Sequence, residues 1–236
     1  GQGDCFVADT KSGAIIFDGG SSSEDQVGRY RILPYMKYLG YQKIQIAVIS
    51  HMDIDHYSGI KELLEMGKIK YLGLPEIPKD ETMKKIIGIA KKRGTTIFYL
   101  SRGRQITTKD GSLKVLHPQK NSQMEKNAAS LVMQGKILGY RVLLTGDVEK
   151  EGEEELLSEE LERADILKAA HHGSKNSTSN EFLQKVQPKQ TVISCGKQNR
   201  YGHPHLETIH RLQTYHTKIY RTDRSGAIIF FKRRDG

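Results

Sequence analysis

Four side chains able to ligate a metal fall within six residues, at His51, Asp53, Asp55 and His56. Imidazole and carboxylate donors at this density suit zinc, manganese or iron. The run follows directly on an apolar segment, residues 44–50, that reads as a buried strand, and loops at strand ends are where sites are commonly built. Two further segments repeat the pattern of an apolar strand ending in ligand-type residues. One is Val142-Leu143-Leu144-Thr145-Gly146-Asp147; the other is residues 165–169, followed by Ala170-His171-His172-Gly173-Ser174. Alone, Gly-Asp more often marks a turn or helix cap, so Asp147 draws its weight from the first run. Adjacent histidines cannot project alike from a strand, so one of His171 and His172 would ligate while the other faces a substrate, and the sequence leaves open which. In a fourth segment, residues 196–205, His203 stands between Gly202 and Pro204 in a loop.

The elements that must position these residues alternate. A β-hairpin is expected over residues 5–17, ending at the Asp18-Gly19-Gly20 turn. Helices are expected at 33–41, 57–66, 80–93, from 149, from 179 and at 206–215. Strands are expected at 44–50, 69–74, 95–100, 113–116, 129–133, 141–145, 165–169, 191–194, 218–221 and 227–232. The last of these carries Ser225-Gly226-Ala227-Ile228-Ile229-Phe230, an identical copy of Ser12-Gly13-Ala14-Ile15-Ile16-Phe17. Two mixed halves, each a sheet with helices outside, imply an α/β fold: a four-layer αββα sandwich of two mixed sheets. No linker divides the chain, so residues 1–236 read as one domain.

At 36% hydrophobic content no apolar run approaches the roughly 18 residues of a membrane helix, and the segment reads as soluble. It opens without an initiator Met, as a domain excised from a larger protein would. Cys5 and Cys195 stand apart and read as buried thiols rather than a disulfide framework. The net charge of +9 is uneven: residues 79–109 hold nine Lys/Arg against two acids, 197–236 nine against three, and 147–165 ten acids against two bases. Two basic surfaces of this kind attract polyanions.

The first run resembles the His-x-His-x-Asp-His signature of metallo-β-lactamase hydrolases, with Asp53 in place of the second His. Further matches are Gly1-Gln2-Gly3-Asp4, Asn127-x-x-Ser130-Leu131-Val132, Leu144-Thr145-Gly146-Asp147, His171-His172-Gly173-Ser174 and Asn199-x-Tyr201-Gly202-His203-Pro204. With these in family order, nearly the whole chain resembles the C-terminal hydrolase domain of the ComEC family of DNA-uptake proteins. That resemblance implies two divalent metal ions held by His51, Asp53, Asp55, His56, Asp147, His171 and His172, with Asp147 bridging. Asp53 makes one subsite richer in oxygen, which brings manganese forward beside zinc. Many relatives carry another metal-binding His before the bridging Asp; here that stretch is Asn127-Ala128-Ala129-Ser130, and His117 upstream reads as a core histidine rather than a substitute.

Asp55 is expected to orient or deprotonate the attacking water, and His172 or His203 to protonate the leaving oxygen. Asn127, Ser130, Ser174 and Asn199 are expected phosphate donors, with Lys197 and Arg200 following a nucleic-acid backbone. The implied activity is a phosphodiesterase, a nuclease acting on single-stranded DNA without regard to sequence, which degrades the strand not taken up. The implied setting is a membrane-associated parent protein, with the domain on the extracytoplasmic face beside a transmembrane channel portion of the same chain. Two alternatives stand: a small-phosphodiester hydrolase of the phosphorylcholine-esterase kind, and a DNA-binding module too poor in ligands to catalyse. A β-lactamase is the weakest reading.

Overall fold

Strand residues here alternate between two buried faces, and this parity builds the layers. The computed structural model describes residues 1–125 and 127–231. Its first half runs β1 (Phe6–Thr10), β2 (Gly13–Phe17), α1 (Leu33–Tyr38), β3 (Ile44–Val48), α2 (Ile54–Glu65), β4 (Ile69–Pro75), α3 (Glu81–Lys92) and β5 (Thr96–Leu100). Its second half runs β6 (Gln105–Thr108), β7 (Gly111–His117), β8 (Val132–Ile137), β9 (Tyr140–Leu144), α4 (Lys150–Leu157), β10 (Ile166–Lys168), α5 (Asn180–Val186), β11 (Gln190–Ile193), α6 (Leu206–Thr214) and β12 (Lys218–Arg221). The first half forms a five-stranded sheet in chain order, and the second a seven-stranded sheet ordered β12-β11-β10-β9-β8-β7-β6. Strands β2 to β5 are parallel, as are β9 to β12, while hairpin-like pairs close the other edges.

In β2, Ala14 and Ile16 pack under the helices of the first half with Met36, Leu63 and Ile86, whereas Ile15 and Phe17 face the other sheet. In β9, Leu143 packs under α4 and α5 with Phe182 and Leu183, whereas Val142 and Leu144 join Ile15 and Phe17 between the sheets. Helices, sheet, sheet and helices therefore stack as the expected four-layer αββα sandwich, with hydrophobic burial at each of the three junctions.

The carboxyl ends of β2, β3, β9, β10 and β11 gather at one end of the sandwich. There the backbone is packed too closely for side chains. A β-carbon on Gly20 would lie 2.6 Å from the Ile54 carbonyl oxygen, and one on Gly59 would lie 2.7 Å from the Gly19 carbonyl oxygen. Helix α2 thus sits directly on the turn after β2. The halves are also stitched together, with Leu131 N donating to Ser50 O at 3.0 Å and Ser194 Oγ donating to Gly3 O at 2.7 Å.

Several expectations need correction. Helix α2 begins at Ile54 rather than 57, which puts Asp55 and His56 in its first turn. Strand β8 begins at Val132, because residues 127–129 form a turn. Strand β6, too short and polar to signal itself, was not expected. Cys195 is buried, but Cys5 is exposed. The expected strand at 227–232 is irregular over 227–231, and Lys232 lies outside the described residues. The hexapeptide's first copy is paired on both sides, by β1 and β3. Its second copy follows a helical turn, Thr222–Ser225, beyond the edge strand β12 and packs Phe230 against Tyr220 at 5.7 Å between ring centroids. Ladder partners, not local composition, decide between the two.

The close approach at Gly59 makes a signed expectation. Gly59→Ala overpacks the α2 contact and lowers stability by about 1–3 kcal/mol. Gly88→Ala, on the exposed face of α3 with open space around it, raises stability by about 0.5–1 kcal/mol. Urea midpoints at unchanged m-value measure both; a neutral Gly59→Ala would contradict the packing described.

Candidate metal centre

Three imidazoles meet at this end of the sandwich, each oriented from behind. His56 Nδ1 lies 2.9 Å from Asp18 Oδ2, and His172 Nδ1 lies 2.8 Å from the Ser194 carbonyl oxygen. His51 Nδ1 lies 3.0 Å from Ser50 Oγ, whose own hydroxyl donates to Asp18 Oδ2 at 2.8 Å. Donation at Nδ1 leaves the lone pair on Nε2, the arrangement that prepares a histidine to ligate. The Nε2 atoms of His51, His56 and His172 are all buried without a hydrogen-bond partner. They face carboxylates: His56 Nε2 is 3.1 Å from Asp147 Oδ2, His172 Nε2 is 3.4 Å from the same oxygen and 3.2 Å from Asp55 Oδ2, and His51 Nε2 is 3.6 Å from Asp53 Oδ2. Ligand atoms of His51, His56 and Asp147 lie within 4.8 Å of one another, as do those of Asp55, His56 and His172. Orphaned nitrogens interleaved with carboxylates fit divalent ions, since unmet polar atoms at this burial are otherwise costly.

Local backbone geometry serves this convergence. Asp18 takes a left-handed conformation, φ 57°, immediately before Gly19. His171 and His172 are left-handed too, at φ 46° and 54°, in a 3-10 turn spanning Ala170–Gly173. Strain of this kind is retained where the surroundings over-determine it, and here it turns the two rings to different places. The His172 ring is buried among the carboxylates. His171 is a quarter exposed, with Nδ1 2.8 Å from Glu149 Oε1 and Nε2 3.9 Å from Asp147 Oδ2.

The charge balance is anionic. Asp4, Asp18, Asp55 and Asp147 are matched by one lysine ammonium in the cluster among the described residues, that of Lys168. Lys168 follows Ile166 at period two in β10, so parity sends its side chain between the sheets. There Nζ lies 2.5 Å from Asp4 Oδ2 and 3.3 Å from Asp147 Oδ1, and donates to the Gly146 carbonyl oxygen at 2.6 Å. Burial disfavours charge on every member, yet the surrounding carboxylates prevail on the histidines. Asp147 and Asp18 hold His56 well above the ordinary imidazole value, and Asp147 and Asp4 push His172 up to about 10. The two histidines and Lys168 in turn hold Asp147 well below the usual carboxylate range, against its burial. Without ions, protons supply the missing positive charge.

A cleft of about 160 Å³ opens onto the cluster, walled by Asp53, Asp55, Asp147, His171, His172 and His203, with Gln2 and the exposed Tyr201 completing it. A larger groove of about 330 Å³ alongside α4 and α5 shares no residue with the cleft and contains no imidazole. His203 sits with its ring 5.3 Å from that of His171; burial and the neighbouring imidazoles push it down to about 4.

The other expected substrate residues are placed as follows. The Ser130 hydroxyl accepts from Asp147 N at 3.2 Å, and Ser174 donates to Glu149 Oε1 at 2.6 Å. Asn199 binds its own loop, donating to the carbonyl oxygens of Gly196 and His203 and accepting from His203 N. Asn127 lies half-buried in the turn before β8, and Lys197 and Arg200 are exposed. His117 is buried outside the cluster, with Nε2 2.6 Å from the Ala128 carbonyl oxygen and Nδ1 3.3 Å from Glu155, in keeping with a core histidine. The basic surfaces survive in part. Lys84, Lys85, Lys91, Lys92 and Arg93 are exposed on and just after α3, but Arg211 is tied to the carbonyl oxygens of Lys175, Ser177 and Thr178, and Arg221 to Asp223.

Sequence reasoning did not select Asp4, Asp18, Glu149 or Lys168 for the site. Asp18 carried a signal, an acid followed by two glycines after a buried strand. Lys168 carried another, as the one charge within Ile166-Leu167-Lys168-Ala169-Ala170.

Relatives and solved structures agree with this fold. The chain is 37% identical to ComE operon protein 3 of Bacillus subtilis, over all of this chain and 33% of that protein. It is 30% identical to Competence protein ComA of Neisseria gonorrhoeae, over all of this chain and 32% of that protein. The chain therefore spans about a third of the length of these curated relatives. Among solved structures, the metallo-beta-lactamase fold protein YhfI from Bacillus subtilis superposes with a TM-score of 0.60 at 14% identity, covering 93% of this chain and 89% of that one. Zinc-bound PqqB from Methylobacterium extorquens gives 0.54 at 8% identity, covering 91% and 84%. Residues 1–197 match the family described as the Metallo-beta-lactamase superfamily, and with its sandwich and its histidine–aspartate cluster the chain belongs to that superfamily.

Proposed function

We propose that this chain is a two-metal phosphodiesterase that hydrolyses single-stranded DNA without regard to sequence. The observation that carries the reading is the convergence of three orphaned, inward-facing Nε2 atoms with Asp55 and Asp147 behind a small cleft that Asp55, Asp147 and His172 line. His51, Asp53 and Asp147 would hold one ion; Asp55, His56, His172 and Asp147 would hold the other. This assigns ligation to His172 and leaves His171, braced by Glu149, to face the substrate. Manganese and zinc both suit the set, and the carboxylate at Asp53 favours the harder ion. A bound pair would supply a water acidified toward neutrality and positive charge against the phosphoryl oxygens.

The chain's own groups do the rest. Asp55, which lines the cleft, orients the attacking water and accepts its proton. His172 Nδ1 is held by the Ser194 carbonyl oxygen and its Nε2 would face an ion, so protonation of the leaving oxygen falls to His203. Neutral in the free cleft, His203 takes up the proton it donates on its unpartnered Nδ1 from solvent, once the negative charge of a bound phosphate favours its charged form. Ser130 and Ser174 act through Asp147 and Glu149, Asn199 through its loop and Asn127 from the turn before β8, and the exposed Lys197 and Arg200 meet backbone phosphates. The name of one relative, Competence protein ComA, supports DNA as the substrate. Because the chain spans about a third of its relatives' length, we place it in a longer, membrane-associated parent beside a channel portion, facing the extracytoplasmic side. Among the described residues no helix is long and apolar enough to cross a membrane.

Cleavage of labelled single-stranded DNA with manganese tests the proposal. Asp55→Asn lowers kcat by about 10²–10⁴-fold, while its melting temperature stays within a few degrees of the parent; undiminished cleavage by that variant would refute the assignment.

Protonation makes a second expectation. His172 is held above its unfolded value of about 6.5, so its contribution to the metal-free fold is complete below that pH and is lost as pH rises toward about 10. Differential scanning calorimetry of chelator-treated protein should show melting temperature falling from pH 7 to 10. Binding manganese at pH 7 should release protons, seen as a dependence of calorimetric heat on buffer ionisation enthalpy. A metal-free protein that gained stability over this range would contradict the charge balance described.

A further inference from the structure

The cleft's size sets a limit on what enters it. At about 160 Å³ it falls well below the roughly 300–1,000 Å³ that enclose a drug-sized ligand. A phosphoryl group fits among the carboxylates and imidazoles, but a whole nucleoside does not, so the flanking base must lie outside. Of the residues that wall the cleft, Tyr201 is aromatic and 45% exposed. A large ring left open to water beside a reactive cleft is the kind of surface that marks a binding contact.

Tyr201 is also held in place. Asn199 pins the loop on both sides of it, donating to Gly196 O at 3.0 Å and His203 O at 2.6 Å while accepting from His203 N at 2.9 Å. The Tyr201 ring stacks on His203 with 5.7 Å between centroids and 24° between planes. Arg200 donates to the Tyr201 hydroxyl at 2.6 Å and carries its guanidinium 4.9 Å from the ring centre. Aromatic surface and cationic charge thus share one braced loop at the cleft. Nucleic-acid proteins that ignore sequence combine these elements, since every base offers a π-face and every residue a phosphate.

We infer that Tyr201 is the stacking platform for the nucleobase beside the scissile phosphate, with Arg200 taking an adjacent phosphate. This deepens the phosphodiesterase reading and rests on it. It makes the cleft select unpaired strands, because a base within a duplex has no free face to offer.

Two strands of equal charge test this: an oligothymidylate of about twelve nucleotides and an abasic strand of the same length. Fluorescence anisotropy measures their binding to the wild type, Tyr201→Ala and Tyr201→Phe. The wild type binds the thymidine strand about ten-fold more tightly than the abasic one. Tyr201→Ala loses that preference while keeping its affinity for the abasic strand, and Tyr201→Phe retains the preference. Equal wild-type affinity for both strands, equal loss on both in Tyr201→Ala, or a preference that survives Tyr201→Ala would each overturn the inference. Cleavage assays on the same strands separate the two proposals. Base-dependent binding with no cleavage in manganese, zinc or magnesium would sink the hydrolase and leave the platform standing. Cleavage of both strands at equal kcat/KM would sink the platform and leave the hydrolase.

Discussion

Buried negative charge around inward-facing imidazoles is the constraint on which this structure depends. Asp4, Asp18 and Asp147 are almost wholly enclosed, where an unbalanced carboxylate is strongly unfavourable. Lys168 offsets part of that charge, and in the metal-free protein the protons on His56 and His172 offset more. Divalent ions would do so better, because the same nitrogens that carry the protons face the same carboxylates. Each Nδ1 is engaged from behind by Ser50, Asp18 or Ser194, and this fixes which nitrogen faces inward. The cluster is therefore oriented before any ion arrives.

Much of the surrounding architecture keeps this cluster assembled from remote parts of the chain. Residues of the first half supply His51, Asp53, Asp55 and His56; the second half supplies Asp147 and His172. They meet because the sheets pack face to face and because Ser50 bonds across the junction to Leu131. The segment Gly1 to Asp4 lies between the halves, with Gln2 accepting from Gly196 N and Gly3 from Ser194 Oγ. Gly20 and Gly59 let α2 settle onto the turn after β2, placing the first-turn Asp55 and His56 against Asp18. Lys168 shows how specific this design is: strand parity sends it into an inter-sheet layer otherwise built from residues such as Ile166 and Val142.

The four-layer sandwich was legible because apolar strands alternate with amphipathic helices, and most of the cluster because its histidines and aspartates are concentrated in short runs behind those strands. What escaped was set by tertiary pairing. The two copies of Ser-Gly-Ala-Ile-Ile-Phe differ in structure because only one has strands on both sides. Asp4, Asp18 and Lys168 sit behind the inward-facing histidines and Asp147, and their single letters carry no spacing to announce them. Which of His171 and His172 points inward was set by two left-handed residues, a backbone choice that sequence periodicity does not encode. The basic run after residue 197 was visible as charge, but Arg211 and Arg221 are spent on carbonyl oxygens and an aspartate, leaving Lys197 and Arg200 at the loop beside the cleft.

Anomalous diffraction from crystals grown with manganese shows whether the convergent Nε2 atoms and Asp147 form the seat of a metal pair. Two peaks about 3.5–4 Å apart are expected, one beside His51 Nε2, the other beside His56 and His172 Nε2, with the Asp147 carboxylate between them. A fully occupied crystal with manganese only at surface carboxylates, and none within this cluster, would contradict that seat.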